Sequence, residues 1–211
     1  KYFETGPDGG RQLCRVENFL PYHDGLRDWL AGERTLAALS QLFDEDAVLF
    51  KEKINFKLPG GSGFKAHQDA PAFRMFGQTF HVTMMLAVDS ANELNGCLEV
   101  AQAPSCRTLL EQDRDMTIAP SVANKMVWRP IAVEPGDLIF FDSYLPHRSS
   151  ENRSQSPRRA LYVTYNGQSE GDVRDAYFRA KRDAFPPEIE RDKNIDYEST
   201  PSLFNVGNPI R

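Results

Sequence analysis

The spacing of apolar residues along this chain changes from helical to alternating near residue 47. Residues 23–30 and 33–43 carry leucine and aromatic side chains at helical spacing, which predicts two amphipathic helices. From residue 48 onward the period is two, and with the exception of Glu52 the residues separate into two faces. The apolar face comprises Val48, Phe50, Ile54, Phe56 and Leu58, and the polar face comprises Lys51, Lys53, Asn55 and Lys57.

Short apolar segments farther along predict strands over residues 79–88, 98–101, 137–142 and 158–166. Many short strands broken by Gly, Pro and Asn are typical of a β-sandwich or jelly roll. Residues 143–157 are predicted to form a loop between the last two strands. Residues 104–130 lack clean periodicity, and a connection of that length is often a lid or a binding loop.

The length of 211 residues suits one domain with a sizeable core. No long Gly/Ser linker, internal repeat or low-complexity segment divides the sequence. We therefore predict a single, mainly β domain. It has a helical entrance over residues 1–46, a β core over 47–167, and a C-terminal helix with a polar tail over 168–211.

The composition excludes several classes of protein. A hydrophobic content of 40% with 14 Phe argues against disorder. The net charge is −5 and basic residues are scattered, so nucleic acid is not an expected partner. The three cysteines, Cys14, Cys97 and Cys106, are an odd number at irregular spacing, which is typical of reduced thiols and predicts a cytoplasmic protein. The apolar runs are too short to span a bilayer, and we expect no signal peptide.

Two imidazoles and one carboxylate, at His67, Asp69 and His147, are the strongest chemical signal in the sequence. Such a set holds Fe(II) on one face of an octahedron and leaves the opposite face open. In an extended segment His67 and Asp69 point the same way, so both can approach one ion. The His67 and Asp69 pair alone is weak evidence for a metal site, because a His near an Asp is often a surface ion pair. The chain has only four histidines, however, and His147 follows the predicted strand 137–142.

Arg158 begins the next predicted strand, eleven residues after His147. Its guanidinium could bind a carboxylate through two hydrogen bonds, and an iron-bound 2-oxo acid presents such a carboxylate. Arg159 is the competing candidate, but alternation places it on the opposite face of the strand. Ser149 could donate to the same carboxylate, and a simple turn serine is the alternative interpretation.

Several motifs resemble the phytanoyl-CoA dioxygenase family over residues 47–167. They are His67-x-Asp69, Asn95-Gly96-Cys97-Leu98, Pro135-Gly136-Asp137, and Pro146-His147-Arg148-Ser149 through Arg158-Arg159-Ala160. The resemblance implies an Fe(II)- and 2-oxoglutarate-dependent oxygenase on a double-stranded β-helix, a cupin-like jelly roll, with flanking helices. Residues 54–61 and the tail from 176 to 210 are more similar to the small-molecule branch that includes aminoalkylphosphonate hydroxylases.

The resemblance also implies roles for individual residues. His67, Asp69 and His147 would bind the iron, and O2 and 2-oxoglutarate would be cosubstrates. Arg158, Asn55, Ser149 and Thr83 would contact 2-oxoglutarate. Related halogenases lack the carboxylate that Asp69 supplies, so hydroxylation with release of succinate and CO2 is expected.

The substrate is expected to be a small anion, plausibly an aminoalkylphosphonate, with an acyl-CoA or another small metabolite as alternatives. The candidate substrate residues are Lys51, Lys53, His81, Trp128 and Arg129, the last two with Lys125 in the predicted lid. Lysines on a strand usually face solvent, and His81 is more often a satisfied strand histidine. Two departures from the family pattern stand out: Met85 replaces a frequent Trp, and Ala103-Pro104-Ser105-Cys106 replaces Pro-Gly-Ser-His at a turn.

Three other functions remain open. A non-catalytic jelly-roll protein would hold metal without consuming 2-oxoglutarate. A zinc hydrolase also uses two His and an Asp, but it would work without O2 and would not need Arg158. A cofactor-independent cupin-type dioxygenase would have more His ligands and no 2-oxo acid.

Overall fold

Two antiparallel sheets form the centre of the computed structural model, which describes residues 1–102, 107–195, 197, 204, 206–207 and 210. The strands are β1 (Tyr2–Thr5), β2 (Arg11–Glu17), β3 (Ala47–Lys57), β4 (Phe64–His67), β5 (His81–Ala87), β6 (Leu98–Ala101), β7 (Trp128–Ile131), β8 (Leu138–Asp142), β9 (His147–Ser149) and β10 (Arg158–Gly167). The helices are α1 (Asp24–Leu30), α2 (Glu33–Phe43), α3 (Ala70–Arg74), α4 (Pro120–Ala123) and α5 (Arg174–Ala184).

The strand order identifies the fold as a jelly roll. The larger sheet runs β1-β2-β3-β10-β5-β8 and the smaller β4-β9-β6-β7, with antiparallel neighbours throughout. Strands distant in sequence are therefore adjacent in space, as β3 and β10 are. The predicted mainly β jelly roll with flanking helices is confirmed.

Helices α1 and α2 cover the outer face of the larger sheet. Leu30 and Leu39 pack there against Val163 and Tyr165, and the Tyr165 hydroxyl donates to the Leu30 carbonyl at 2.8 Å. This burial accounts for the hydrophobic residues on one face of β10. The opposite face of β10, with Arg158, Ala160, Tyr162 and Thr164, is left to point between the two sheets.

The register of β3 contains a bulge that the alternating pattern did not reveal. Lys51 pairs with Thr164 but Leu49 pairs with Tyr165, so Phe50 is the extra residue. Phe50 consequently packs against Phe73 and Tyr177, whereas Ile54 packs toward the helices. The predicted shared face for Phe50 and Ile54 was therefore wrong.

Several short strands were missed. The segment 1–46, predicted as helical, also contains β1 and β2 ahead of the two helices. Residues 143–157, predicted as a loop, contain β9, so His147 lies on a strand. Residues 104–130, predicted as a lid, end in β7, which pairs with β6. Strands of three or four residues, such as β1, β7 and β9, lack the length that makes alternation visible.

The state of the cysteines and the absence of a membrane span were both predicted from the sequence. Cys14 and Cys97 are buried and free, as reduced thiols would be, while Cys106 and the Ala103–Cys106 turn lie outside the described residues. Among the residues described, no helix combines the length and apolar character needed to cross a bilayer.

Candidate metal centre and its pocket

Three side chains that could hold one metal ion converge between the sheets. The nearest ligand atoms of His67, Asp69 and His147 all lie within 4.8 Å of one another. His67 ends β4 and His147 begins β9, and the two are direct cross-strand partners with ring centroids 4.1 Å apart. The pairing of two short strands therefore brings together two residues that are 80 positions apart in sequence.

The backbone conformation that brings Asp69 to the two histidines differs from the predicted one. The strand ends at His67, and Asp69 has helical backbone angles at the N-cap of α3. The convergence of His67 and Asp69 is thus made by a turn rather than by strand alternation. The Asp69 carboxylate makes no hydrogen bond to any residue that the structure describes, which leaves both oxygens available.

Both imidazoles are held by a backbone carbonyl two residues before them. His67 Nδ1 lies 2.7 Å from the Lys65 oxygen, and His147 Nδ1 lies 2.9 Å from the Leu145 oxygen. A carbonyl can only accept, so Nδ1 must carry the proton in each neutral ring. Nε2 is then the atom with a free lone pair. A histidine that binds metal is usually oriented by such a bond from its other nitrogen.

Gln68 anchors the turn between the two ligands. Its side chain is fully buried, and Nε2 donates to the carbonyls of Thr108 and Tyr144 at 2.9 and 2.6 Å. Its Oε1 accepts from the Leu110 amide at 2.8 Å. All three bonds reach loops outside β4, so Gln68 ties the ligand turn to the surrounding structure.

The protonation states around these residues suit a cation. Burial, and then the positive charge of His147, lowers the pKa of His67 to about 3. Burial by itself would raise the pKa of Asp69, but His147, Lys53 and Lys51 outweigh it and hold that pKa below its usual value. Neutral imidazoles and an ionised carboxylate are the forms that bind a metal.

The polar face of β3 points into this pocket rather than to solvent. Lys51, Lys53 and Asn55 line it. Lys51 Nζ lies 4.0 Å from the Phe73 ring centroid and 3.5 Å from the Tyr177 hydroxyl. Burial lowers the pKa of Lys51 to about 8 and also lowers that of Lys53, whose neighbour Arg15 adds to the effect. No carboxylate in the described part of the chain hydrogen-bonds either ammonium.

Asn55 is oriented by a residue that sequence reasoning missed. Arg15, on β2, is almost fully buried, and its Nε donates to Asn55 Oδ1 at 2.9 Å. Because a guanidinium can only donate, the amide oxygen must face Arg15, and the Asn55 NH2 group is directed elsewhere. Arg15 also bonds Glu17, which accepts from Lys181 through both carboxylate oxygens at 2.5 Å. No clear alternation in residues 11–17 pointed to this strand.

A second cationic group, formed by Lys57 and Arg158 and called here the paired-cation site, adjoins the pocket. Arg158 Nη2 donates to the Gly96 carbonyl at 2.6 Å, while its buried Nε has no partner among the described residues. Lys57 Nζ donates to the same carbonyl at 3.3 Å, to Ser149 Oγ at 2.8 Å and to the Ser150 carbonyl. Burial and the nearby Arg158 charge lower the pKa of Lys57 to about 6.

The paired-cation site is short of negative charge. The atoms that Lys57 and Arg158 bond are neutral oxygens, and two buried cations side by side repel each other. Arg158 lines a small cavity beside the pocket of the triad, and Leu98 borders both. Arg159, by contrast, faces outward and forms two hydrogen bonds with Asp89 at 2.8 and 2.7 Å.

Three of the predicted substrate residues do not line the pocket of the triad. His81 is buried against Phe50 and Phe73, and its Nε2 pairs with Gln78 at 2.8 Å, so it is a satisfied strand histidine. Trp128 packs under the Arg148 guanidinium, and Arg129 is exposed on β7. None of the described residues from 107 to 130 borders the pocket, and the lid stays a prediction. Thr83 and Ser149 do line it.

Comparison with known proteins agrees with the resemblance drawn from the motifs. Residues 13–160 match the family described as phytanoyl-CoA dioxygenase (PhyH). The chain is 55% identical to a 2-aminoethylphosphonate dioxygenase from an uncultured bacterium, HF130_AEPn_1, over 100% of this chain and 81% of that protein. It is 43% identical to a methylphosphonate hydroxylase of Gimesia maris, over 87% of this chain and 70% of that protein. The prediction of a dioxygenase of this family is confirmed.

Solved structures share the fold. A crystal structure of EctD from S. alaskensis with 2-oxoglutarate and 5-hydroxyectoine superposes with a TM-score of 0.65 at 16% identity. The superposition covers 79% of this chain and 61% of the EctD chain, so this chain spans less than two thirds of the EctD chain. The epimerase SnoN from nogalamycin biosynthesis superposes with a TM-score of 0.60 at 19% identity, covering 79% of this chain and 66% of that chain.

Lys57 should make the stability of the ligand-free protein depend on pH. The unfolded chain keeps Lys57 protonated up to about pH 10.5, whereas the folded protein releases that proton near pH 6. Between these values the unfolded state binds more protons, so stability should rise with pH. Lys57→Met should remove up to about 1.4 kcal/mol per pH unit from the slope of the unfolding free energy.

Urea unfolding at several pH values within that window measures the slope. Lys125→Met replaces an exposed lysine and should keep the wild-type slope. A wild-type slope in Lys57→Met would mean that the buried ammonium keeps its proton in the folded state.

Proposed function

The chain belongs to the phytanoyl-CoA dioxygenase family, and we propose that it is an Fe(II)- and 2-oxoglutarate-dependent hydroxylase of a small phosphonate. The observation that carries the proposal is the convergence of His67, Asp69 and His147 beside a cationic pocket wall. Family membership supports the chemistry, and the two phosphonate-oxidising relatives support the substrate class.

The donor set suits Fe(II). His67, Asp69 and His147 would hold the ion through two Nε2 atoms and one carboxylate, a donor set that leaves coordination positions for a 2-oxo acid and O2. When bound, Fe(II) with 2-oxoglutarate would supply the O2 activation that converts a C–H bond to C–OH, with succinate and CO2 as the other products. The contribution of this chain is to hold the ligand atoms in place and to exclude water around them.

The paired-cation site is the proposed receptor for the distal carboxylate of 2-oxoglutarate. Arg158 has an unused donor in Nε, and Ser149 and Lys57 stand beside it. An anion there would pair with the Arg158 charge and would favour the protonated form of Lys57, and neither side chain has an acidic hydrogen-bond partner in the described structure. The Asn55 NH2 group and the Thr83 hydroxyl, which both line the pocket of the triad, are further proposed contacts for 2-oxoglutarate.

Lys51 and Lys53 are the proposed receptors for the phosphonate. Both lie close enough to Asp69 to affect its pKa, so an anion between them would be held beside the metal. Aromatic residues from α5 and the C-terminal segment, among them Tyr177, Phe178 and Phe204, close the pocket around this point. Such enclosure favours a compact substrate over an acyl-CoA, which remains the alternative.

The paired-cation site favours a 2-oxoglutarate-dependent oxygenase over the alternative functions. A zinc hydrolase could use the same triad but has no need of a buried carboxylate receptor next to it. A non-catalytic binding protein would not consume 2-oxoglutarate. The discriminating experiment is succinate formation under Fe(II), ascorbate and O2 with a panel of phosphonates, betaines, amino acids and acyl-CoAs.

Replacing any one of His67, Asp69 or His147 with Ala should abolish succinate formation. Each change removes one of the three ligand atoms, so bound iron, measured after anaerobic loading, should also fall sharply. His23→Ala is a matched control because His23 caps α1 and lies outside the pocket. Full activity in Asp69→Ala would refute the assignment of the metal site.

Arg158→Ala should raise the 2-oxoglutarate concentration required for half-maximal turnover by about 30-fold or more. Removing one partner of a buried charged pair costs roughly 2–5 kcal/mol. Arg159→Ala removes only a solvent-exposed pair with Asp89 and should change the requirement little. A larger effect at Arg159 would mean that the proposed receptor is misplaced.

Lys53→Ala should weaken phosphonate binding by about tenfold or more while changing 2-oxoglutarate binding less. The cause is the loss of a buried charge-assisted contact, typically worth about 1.5–3 kcal/mol. Lys125→Ala, at an exposed lysine, is the control. Turnover of a phytanoyl-type acyl-CoA with none on any phosphonate or other small anion would refute the substrate class and leave the metal site standing.

A further inference from the structure

Three described residues of the C-terminal segment, Phe204, Val206 and Gly207, lie at the pocket or beside it. Phe204 and Val206 line it, and the Phe204 ring lies 5.5 Å from that of Tyr177 and 6.4 Å from that of Phe76. Gly207, one residue farther, accepts a hydrogen bond from the Lys65 amide at 3.0 Å. This bond joins the C-terminal segment to β4, two residues before His67.

Gly207 lies directly against the hydrogen bond that orients His67. A Cβ atom on Gly207 would be 2.9 Å from His67 Nδ1 and 2.9 Å from the Lys65 oxygen. These are the two atoms that are joined at 2.7 Å. Because the Lys65 oxygen belongs to the backbone and the ring is buried, neither can move aside easily. A side chain at 207 would therefore press on this bond from the side.

We propose that Gly207 is a positioning residue for the metal centre, which acts by closing over the Lys65 carbonyl and the His67 Nδ1–H. The absence of a Cβ lets the backbone cover the bond and keep water from it. The bond in turn keeps the proton on Nδ1 and the Nε2 lone pair directed at the metal. The C-terminal segment is thus part of the metal centre, although it supplies no ligand. This inference rests on the proposed role of His67.

An ordinary structural role for Gly207 has to be separated from this one. Its backbone φ is +68°, a left-handed conformation that any side chain would strain. Gly9, in the exposed turn between β1 and β2, provides the matched control, since its φ is +77° and no atom lies within 4 Å of a Cβ built there. Gly9→Ala carries the backbone strain without the contact, whereas Gly207→Ala carries both.

The test measures Co(II) and Fe(II) binding to the metal-free protein under anaerobic conditions, without 2-oxoglutarate. Gly207→Ala should bind either ion about tenfold or more weakly than wild type, the usual effect of losing a partner that orients a ligand. Gly9→Ala should bind as wild type does. Gly207→Asn and Gly9→Asn repeat the comparison with a residue that tolerates the left-handed conformation, in case Ala at 207 prevents folding.

A second measurement does not depend on metal. In the ¹⁵N-histidine NMR spectrum of the metal-free wild type, His67 should show a protected Nδ1–H, and in the folded Gly207 variants that proton should exchange faster. Metal affinity within twofold of wild type in a folded Gly207 variant would overturn the inference. So would equal losses in the Gly9 variants, or an unprotected His67 Nδ1–H in wild type. Failure of wild type itself to bind either ion would instead refute the proposed metal site.

Discussion

The pairing of β4 with β9 is the interaction on which the rest of the site depends. It sets His67 opposite His147 across two strands of only four and three residues. Strands this short contribute few ladder hydrogen bonds, so their register must be held from outside. Gln68 supplies three such bonds, and the Gly207 carbonyl supplies another to Lys65. A shift of one residue would turn His147 to the other face of the smaller sheet and separate the ligands.

Uncompensated positive charge gives the interior its chemical character. Lys51, Lys53, Lys57 and Arg158 all face inward from β3 and β10, and burial penalises each ammonium group. A buried charge that lacks a partner is costly in a folded protein, so the ligand-free protein is less stable than its packing alone would make it. Binding of anions relieves this cost. Ligand binding and stability should therefore be coupled in this protein.

The candidate ligands could be predicted because the patterns that indicate them lie within short stretches of sequence. The His67-x-Asp69 pair, the strand before His147 and the alternation around Arg158 can all be read within short windows of sequence. The strands β5, β6, β8 and β10 were found for the same reason, since each is a clear apolar segment with turn residues beside it.

The residues that were missed act through contacts with distant parts of the chain. Arg15 was overlooked because β2 has no clear period, and its role exists only through Asn55 on the neighbouring strand. Solvent-facing and inward-facing lysines cannot be distinguished on β3 until the second sheet is placed over them. The strand that carries Trp128 and Arg129 was not predicted because an aperiodic segment does not reveal which sheet edge it joins. Gly207 carries no pattern of its own, and only the approach of its backbone to His67 gives it importance.

The order of polar residues along β3 would give the two anions of the proposed function separate positions. Residues 51 and 57 are six positions apart, which is about 20 Å of extended strand. Lys51 and Lys53 help to hold the pKa of Asp69 low, whereas the pKa of Lys57 is lowered by burial and then by the charge of Arg158. Lys51 and Lys53 therefore lie beside the candidate metal ligands, and Lys57 lies farther along the strand at the paired-cation site. A 2-oxo acid bound at the proposed metal site and reaching toward Lys57 would leave Lys51 and Lys53 free for the substrate. The strand would then separate the proposed cosubstrate from the proposed substrate by position, because both are anions and charge alone could not distinguish them.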